Sequence, residues 1–457
     1  MRYFPVSMKS LSWLDSSFTK HQAHRMQPQM PTYREALVYW LKLGFISFGG
    51  PAGQIAIMHR DLVETRKWIS ESHFLHALNF CMMLPGPEAQ QLATYLGWRL
   101  HGWKGGIAAG VCFVIPSALI LFALSWLYVT SGHIPWIAAM FYGFLPAVIA
   151  VILAAVIRIG GKTLHSPALW LVAAASFIGI YVFDVSFIMI IFGAALLGLF
   201  GHRVSPKQFP SGKSHGSASH DSEEEFLKLP PCSRPTWFRA FRMILLWVSL
   251  WLLPIIGLGS WLGWSSTPVA QGVFFSKAAL VTFGGAYAVL PYVAQQAVEH
   301  FGWLTHPQMM NGLALAETTP GPLIMVLQFV GFVGGWQNPG DLNPFLAATI
   351  GAMITTWVTF MPCFLFVFLG APHVDSLGSM PRIGAALSAV TAAVTGVILN
   401  LGVKFSMAAL FPTLWRFDFF VAFTALAAFL AMWKFKIPFT QVLGGCALLG
   451  LISMLWS

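Results

Sequence analysis

The sequence has few charged residues. Asp, Glu, Lys and Arg together make up 9% of its 457 residues, whereas apolar residues make up 57% and the mean hydropathy is +0.70. Soluble globular domains carry about 25% charged residues, so this chain has too little polar surface to cover a water-soluble globule. The composition excludes that class and predicts an integral membrane protein.

Metal-ligand patterns are also missing. The five cysteines are far apart, without a disulfide framework or zinc-ligand spacing, and we expect buried free thiols. No His-Glu-x-x-His or Cys-x-x-Cys motif occurs, and residues 160–163 lack the upstream glycine of a phosphate-binding loop. We therefore expect no metal, no cofactor, no catalytic residue and no enzymatic activity.

Positive charge is sparse within the apolar segments. The net charge of +10 comes mainly from an N-terminal arm (1–34) and a middle linker (202–239) whose polar centre is expected to be disordered. Cytoplasmic segments of membrane proteins carry such an excess of Lys and Arg. The predicted partners are therefore anionic membrane lipids rather than nucleic acid. Residues 1–31 lack the apolar core of a cleavable signal peptide.

What the chain does have is about twelve to thirteen apolar stretches. Crossing a bilayer as a helix takes about 20 residues, and helices satisfy all backbone groups within lipid. We predict an all-α polytopic membrane protein. Its domains are a transporter repeat over 35–201, an extra transmembrane helix over 240–262 and a second repeat over 263–457.

The two halves repeat each other. Residues 42–87 align with residues 277–322 without a gap, at a constant offset of 235. The identities fall on a lysine, a Phe-Gly-Gly motif, a Glu…Trp loop and a Pro-Gly-Pro motif. Glycine and proline at the same places in apolar segments of two halves are typical of secondary transporters.

Two observations indicate that the repeats are inverted. The helix 240–262 has no partner in the first half, so it would insert the second repeat upside down. Loop 59–73 carries three Lys or Arg residues, whereas its counterpart 294–308 carries none. One conflict stays open: if 35–58 crosses the membrane, loop 59–73 lies outside. Either its acidic residues mute the signal, or 42–58 is re-entrant.

Each half contains two motifs that interrupt a helix. Paired glycines relax helical geometry, and two prolines around a glycine cannot continue a helix. A broken helix within the membrane can present free N–H groups and a positive dipole end to an anion. The alternatives are close helix packing for Gly-Gly and a structural kink for Pro-Gly-Pro. The predicted substrate-binding residues at the breaks are Gly49, Gly50, Pro51, Gln54, Pro85, Gly86, Pro87, Gln91, Gly284, Gly285, Thr318, Thr319, Pro320, Gly321 and Pro322.

Ionisable residues complete the predicted site. Lys42 and Lys277 occupy equivalent positions and would either contact substrate or snorkel to the interface. Glu88 and Glu317 flank the Pro-Gly-Pro motifs and would either couple protons or pair with Lys42, Lys277 or Arg99. Arg158 is interpreted as structural or interfacial.

These residues resemble the chromate ion transporter family in its long two-domain form. The resemblance runs through residues 48–51, 64–68, 84–87 and 115–117, and then through 283–287 and 317–322. It implies a secondary active transporter that exports chromate across the cell membrane and confers chromate resistance. Many members have a histidine soon after the first motif, where this chain has Ala52-Gly53-Gln54.

Other functions stay open at this stage. Sulfate and chromate are similar tetrahedral dianions, so a transporter of sulfate or another oxyanion, including one working inward, is the nearest alternative. A membrane-embedded lipid enzyme would need a reactive constellation that the sequence lacks, and a scaffold would leave the broken helices unexplained. A homodimer is left open.

Overall fold

The structure is a computed structural model that describes residues 30–210, 237–374, 381–413 and 416–455. The predicted arm up to residue 29 and the linker centre at 211–236 lie outside the described residues. Within the described ranges the chain forms sixteen α-helices and no strand, apart from one isolated β-bridge between Thr413 and Arg416. The all-α fold class is confirmed.

The helices fall into two sets of similar length around one extra helix. The first set is α1 (Tyr33–Ile46), α2 (Gly50–His59), α3 (Glu71–Met83), α4 (Glu88–Ser131), α5 (Pro135–Thr163), α6 (Pro167–Phe183) and α7 (Phe187–Val204). The extra helix is α8 (Trp237–Leu262). The second set is α9 (Thr267–Leu280), α10 (Ala286–Ala294), α11 (His306–Thr318), α12 (Val326–Gln337), α13 (Pro344–Gly370), α14 (Pro381–Leu410), α15 (Phe419–Trp433) and α16 (Phe439–Met454).

Six of the described helices are long and apolar enough to cross a membrane, namely α4, α5, α7, α8, α13 and α14. The other described helices are shorter, and those next to the Gly-Gly and Pro-Gly-Pro motifs are short because these motifs interrupt the apolar segments that contain them. Their residues still form part of the same helical body, since α1, α9 and α12 pack against the long helices. The protein is therefore a multi-pass membrane protein.

The repeat continues well beyond the motifs that revealed it. The short helices α2 and α10 are both extended by a π-helical turn, at Arg60–Thr65 and Gln295–His300. Equivalent N-caps begin α3 and α11, where the hydroxyls of Ser70 and Thr305 accept hydrogen bonds from backbone N–H groups three residues later. The single helix α4, which is broken at His101 and Gly102, corresponds to α12 plus α13.

The segment α1–α2 is a hairpin. After α2, the chain returns to α1. The guanidinium of Arg66 lies 5.2 Å from the centroid of the Tyr39 ring, and the centroids of the Trp68 and Tyr39 rings lie 5.6 Å apart. The equivalent residues of α9–α10 return in the same way, with the Phe301 ring 5.6 Å from that of Phe274. Segment 42–58 therefore reverses direction, and loop 59–73 lies at the same end as the start of α1. That this segment is re-entrant in the membrane stays a prediction.

The segment α3–α4 forms a second hairpin in the first half. Arg99 Nε lies 3.3 Å from His73 Nε2, and the rings of Phe80 and Tyr95 lie 5.8 Å apart. The Pro-Gly-Pro motif at 85–87 is the tip of this hairpin. Each half thus contributes two hairpins whose tips are the interrupted motifs.

The hairpins of the two halves begin at opposite ends of the long second segment of α4. At the first end, His101 Nε2 lies 2.9 Å from the carbonyl oxygen of Pro31. At the other end, Asn311 Nδ2 lies 3.5 Å from the Tyr128 hydroxyl, and the Trp126 and Phe345 rings lie 6.0 Å apart. Loops 59–73 and 294–308 consequently lie at opposite ends of the molecule. The inverted orientation in the membrane itself stays a prediction.

The last helices of the halves are exchanged. Helix α5 packs against α15 and α16 of the second half, and its equivalent α14 packs against α6 and α7 of the first half. Glycines allow this close packing, because a side chain at Gly143 or Gly396 would collide with a backbone carbonyl of Cys446 or Ala173. Both halves are therefore needed to build this helical body.

Candidate functional site

The hairpin tips of the two halves are joined by reciprocal hydrogen bonds. The Gly86 N–H donates to the carbonyl oxygen of Thr282 at 2.7 Å, and the Gly321 N–H donates to that of Ser47 at 2.8 Å. Gly86 and Gly321 are equivalent in the repeat, as are Ser47 and Thr282. We call residues 85–88 with 282–285 the Gly86 crossover, and residues 319–322 with 47–50 the Gly321 crossover.

Glycine is required at both tips. Gly86 has φ +124° and Gly321 has φ +100°, where side chains are strained. A Cβ on Gly86 would lie 2.7 Å from Gln91 Nε2 and 2.8 Å from Cys363 Sγ, and one on Gly321 would lie 2.7 Å from Ser117 Cβ. The tips can approach the opposite half only because these residues lack side chains.

The Gly86 crossover carries a carboxylate. Glu88, at the start of α4, is half-buried, and its Oε1 lies 3.8 Å from the position that a Cβ on Gly285 would occupy. Gly284 and Gly285 have φ +80° and +93° and lead into α10. Two helix N-termini, those of α4 and α10, therefore meet beside one acidic group. Helix N-termini favour negative charge.

The Gly321 crossover carries an amide instead. The buried Gln54 Nε2 donates to the carbonyl oxygen of Gly321 at 2.5 Å and lies 3.4 Å from that of Ser47. Position 289, which is equivalent to Gln54, is valine, and position 323, which is equivalent to Glu88, is leucine. The two crossovers thus share backbone geometry and differ in side-chain chemistry.

A charged cluster lies next to the Gly86 crossover. The Tyr287 hydroxyl, in the first turn of α10, donates a hydrogen bond to Glu317 Oε1 at the end of α11. The guanidinium of Arg158, on α5, lies 6.0 Å from the centroid of the Tyr287 ring and interacts electrostatically with Glu317. Tyr287 is buried, Glu317 is half-buried and Arg158 is exposed. The cluster is therefore buried on one side and accessible on the other.

The remaining residues predicted at the breaks satisfy local backbone groups. Gln91 Nε2 donates to the Pro85 carbonyl at 2.7 Å. The hydroxyls of Thr318 and Thr319 donate to the carbonyls of Leu315 and Ala316, at 2.7 and 2.9 Å, and so cap the end of α11. Pro51 lies in the first turn of α2, where a missing N–H costs no hydrogen bond.

The two predicted lysines lie away from the crossovers' hydrogen bonds. Among the described residues, Lys42 and Lys277 form no hydrogen bond or ion pair with Glu88 or Glu317. Lys42 is exposed on a face of α1 where Val38 and Phe45 are also 61% and 52% exposed. Such a face is typical of a lysine that snorkels from an apolar surface. Their contact with substrate stays a prediction.

Sequence reasoning missed Arg158 and Tyr287 as site residues. A signal for Arg158 was present in a second stretch of the repeat, because residues 147–159 align with 393–405 at an offset of 246 and share the Val-Ile-Leu run at 151–153 and 397–399. This alignment places Arg158 opposite Lys404, a second cation in the same place. Only the structure brings Arg158 to Tyr287 and Glu317.

Comparison with known proteins identifies the family. Residues 34–199 and 270–451 match the chromate transporter family, and the two regions contain both crossovers and Arg158. The chain belongs to the chromate transporter family. In this family member, the residues outside the match include α8 and the linker.

Curated relatives of this chromate transporter family member extend over nearly its whole length. The chromate transport protein of Cupriavidus metallidurans is 31% identical over 429 residues, which are 93% of this chain and 94% of that protein. A probable chromate transport protein of Synechococcus elongatus is 30% identical over 93% of this chain and 97% of its own length. The chromate transport protein of Pseudomonas aeruginosa is 33% identical over 85% of this chain and 84% of its own length. No solved structure matches the chain.

Proposed function

We propose that this protein is a secondary active transporter that exports chromate across the inner membrane and so confers chromate resistance. The observation that carries the proposal is the pair of crossovers, in which hairpins from two repeated halves meet tip to tip inside a chromate transporter family member. Interrupted helices that meet between repeats are where secondary transporters bind their substrates.

The membrane potential favours this direction. Moving one elementary charge across the membrane is worth about 2.3 kcal/mol per 100 mV, so a dianion gains about 4.6 kcal/mol on leaving a cell that is 100 mV negative inside. Every 1.4 kcal/mol corresponds to about a tenfold ratio of concentrations. The potential alone therefore supports an outward gradient of roughly a thousandfold.

In the proposed site, the oxyanion binds at the breaks. Free backbone N–H groups at the helix N-termini, together with the polar side chains of the hairpin tips, replace part of its hydration shell. Lys42 and Lys277 add positive charge along the approach, and Glu88 and Glu317 couple proton movement to transport. The Gly86 crossover supports such coupling, because its Glu88 occupies the same positive region that an anion would seek.

Transport is tested in inside-out vesicles and in intact cells. Cells that make the protein should accumulate less radiolabelled chromate than cells with an empty vector, and inside-out vesicles should accumulate more. Adding excess sulfate and measuring chromate uptake shows by competition whether the site discriminates between the two dianions. Unchanged accumulation in cells with verified expression would contradict chromate transport, and increased accumulation in cells would reverse the direction.

Coupling is tested in proteoliposomes with the potential and the pH gradient imposed separately. The Glu88→Gln and Glu317→Gln variants should still respond to the potential but no longer to the pH gradient. If both variants follow the pH gradient as the unmodified protein does, these carboxylates do not couple protons.

A further inference from the structure

The cluster of Arg158, Tyr287 and Glu317 joins three helices that come from both halves. Tyr287 donates its only hydroxyl proton to Glu317, and the guanidinium of Arg158 lies 6.0 Å from the Tyr287 ring centroid and interacts electrostatically with Glu317. Glu88 is the carboxylate of the adjoining Gly86 crossover. The cluster therefore combines one cation, one hydroxyl and one carboxylate, and a second carboxylate, that of Glu88, lies in the adjoining crossover.

Arg158 has more N–H donors than its contacts in the cluster engage. A guanidinium carries five N–H donors in a planar fork. Among the described residues, Arg158 forms no ion pair with a carboxylate within 4.0 Å, and its side chain is exposed although Tyr287 beneath it is buried. Its interactions with Tyr287 and Glu317 engage only part of the five-donor fork, so the remaining donors can act on a ligand.

The equivalent residue in the other half behaves differently. Lys404, on α14, donates to Glu299 Oε1 at 2.6 Å, and His306 Nε2 lies 3.9 Å from the same oxygen. Lys404 is thus engaged in an ion pair at the base of the second-half hairpins. The repeat supplies a cation at both places, and within the part of the chain that the structure describes Lys404 has a carboxylate at ion-pair distance whereas Arg158 has none.

We propose that Arg158 and the Tyr287 hydroxyl bind the transported oxyanion, and that Glu317 competes with the oxyanion for them. This inference rests on the proposed function. Two edge oxygens of a tetrahedral dianion match the guanidinium fork, which favours bidentate hydrogen bonds. The single hydroxyl proton of Tyr287 can be donated to Glu317 or to the oxyanion, but not to both. Binding of the dianion therefore displaces Glu317 from its partner.

The proposal predicts opposite effects for two neighbours in one cluster. Removing the cation should weaken binding, because a hydrogen bond to a charged group is lost. Removing the negative charge of Glu317 should strengthen binding, because the competitor is gone. A purely structural cluster would give the same sign for both variants, since each change would break the same contacts.

Binding of radiolabelled chromate and of radiolabelled sulfate to purified protein tests this inference. We expect Arg158→Gln to bind about tenfold or more weakly and Arg158→Lys to bind at an intermediate level. We expect Tyr287→Phe to bind severalfold more weakly and Glu317→Gln to bind severalfold more tightly. The matched control Lys404→Gln should stay within about twofold of the unmodified protein. Each variant is first checked for a single monodisperse peak after purification.

The outcomes separate the inference from the proposed function. If the unmodified protein binds neither anion, the proposed function fails. If it binds and Arg158→Gln binds equally well, or Glu317→Gln weakens binding as Arg158→Gln does, the proposed binding of the oxyanion by Arg158 and Tyr287 is refuted. Should Arg158→Gln not fold, the signs for Tyr287→Phe and Glu317→Gln still decide, because the inference requires them to be opposite.

Discussion

The Gly86 and Gly321 crossovers share the same backbone hydrogen bonds but differ in the side chains beside them. In each, a glycine N–H at a Pro-Gly-Pro tip donates to the backbone carbonyl that precedes the Gly-Gly motif of the other half, at 2.7 and 2.8 Å. The first has Glu88 beside it and adjoins Tyr287, Glu317 and Arg158, while the second is fastened by the amide of Gln54. The repeat thus sets the backbone scaffold, and substitution at equivalent positions gives the two crossovers different chemistry.

The difference has a physical reason. Backbone hydrogen bonds between tips depend only on the path of the chain, so both halves keep them as long as glycine and proline keep that path. Side chains next to the tips are not needed for the fold to close. They can therefore diverge, with a charged cluster beside one crossover and a hydrogen-bonding amide in the other.

The largest expected effect is a difference in cysteine labelling between the two equivalent loops, 59–73 and 294–308, which lie at opposite ends of the molecule. Residues 65 and 300 are equivalent, exposed and located at opposite ends of α4's long segment. In a transport-competent background without native cysteines, His300→Cys should react with an impermeant maleimide applied to intact cells. Thr65→Cys should react only after permeabilisation.

A cysteine in the predicted cytoplasmic linker, Ser217→Cys, serves as the inside reference for that labelling. Equal labelling of positions 65 and 300 from one side would contradict inverted repeats.

The next largest effect is a loss of stability, which tests whether both crossovers require glycine at the hairpin tip. Gly86→Ala and Gly321→Ala should each destabilise the fold by about 2–5 kcal/mol, because strain at positive φ adds to a collision with packed side chains. Gly102→Ala is the matched control, since Gly102 has φ +62° and ψ −154° but no atom within 4 Å of a Cβ, so only the backbone strain of about 1–3 kcal/mol applies. Size-exclusion profiles after heating measure the losses. A large loss at only one crossover would break the equivalence.

A smaller effect sharpens the contrast between the crossovers. Gln54→Val copies the residue at the equivalent position 289 and leaves the carbonyl of Gly321 without its amide donor, at a cost of about 1–3 kcal/mol. Gln90→Leu is the control, because it removes a buried glutamine hydrogen bond that stays within α4, from Gln90 Nε2 to Thr94 Oγ1 at 3.1 Å. Thermal unfolding should therefore show a larger loss for Gln54→Val. Equal losses would mean that Gln54 does not fasten the crossover.

The smallest effect is expected at the paired lysines. Lys42→Ala and Lys277→Ala should each lower chromate flux in proteoliposomes by at most about threefold, because charges on exposed faces act through the screened field. The loss should shrink at high ionic strength. A salt-independent loss as large as that of Arg158→Gln would instead place these lysines in direct contact with the substrate.

Sequence reasoning reached the family and the positions of the four helix breaks, since glycine and proline act on the backbone wherever they stand. It left the path of segment 42–58 open, because Gly-Gly can bend a helix or reverse it. The contacts of Tyr39 with Arg66 and Trp68 show that the chain reverses. Arg158 was not predicted as a site residue, because its partners Tyr287 and Glu317 are more than a hundred residues away in the chain.

The sequence by itself determined the membrane class, the all-α fold, the repeat and the family, because these depend on composition, on local backbone chemistry and on motifs within each half. Only the tertiary structure decided that the tips of opposite halves bond to each other, that α1–α2 and α9–α10 are hairpins, and that one crossover adjoins a charged cluster. Those features arise from contacts between segments that are distant in the chain. The spacing of motifs along the sequence does not tell which hairpin tips, or which charged side chains, lie next to each other in the fold.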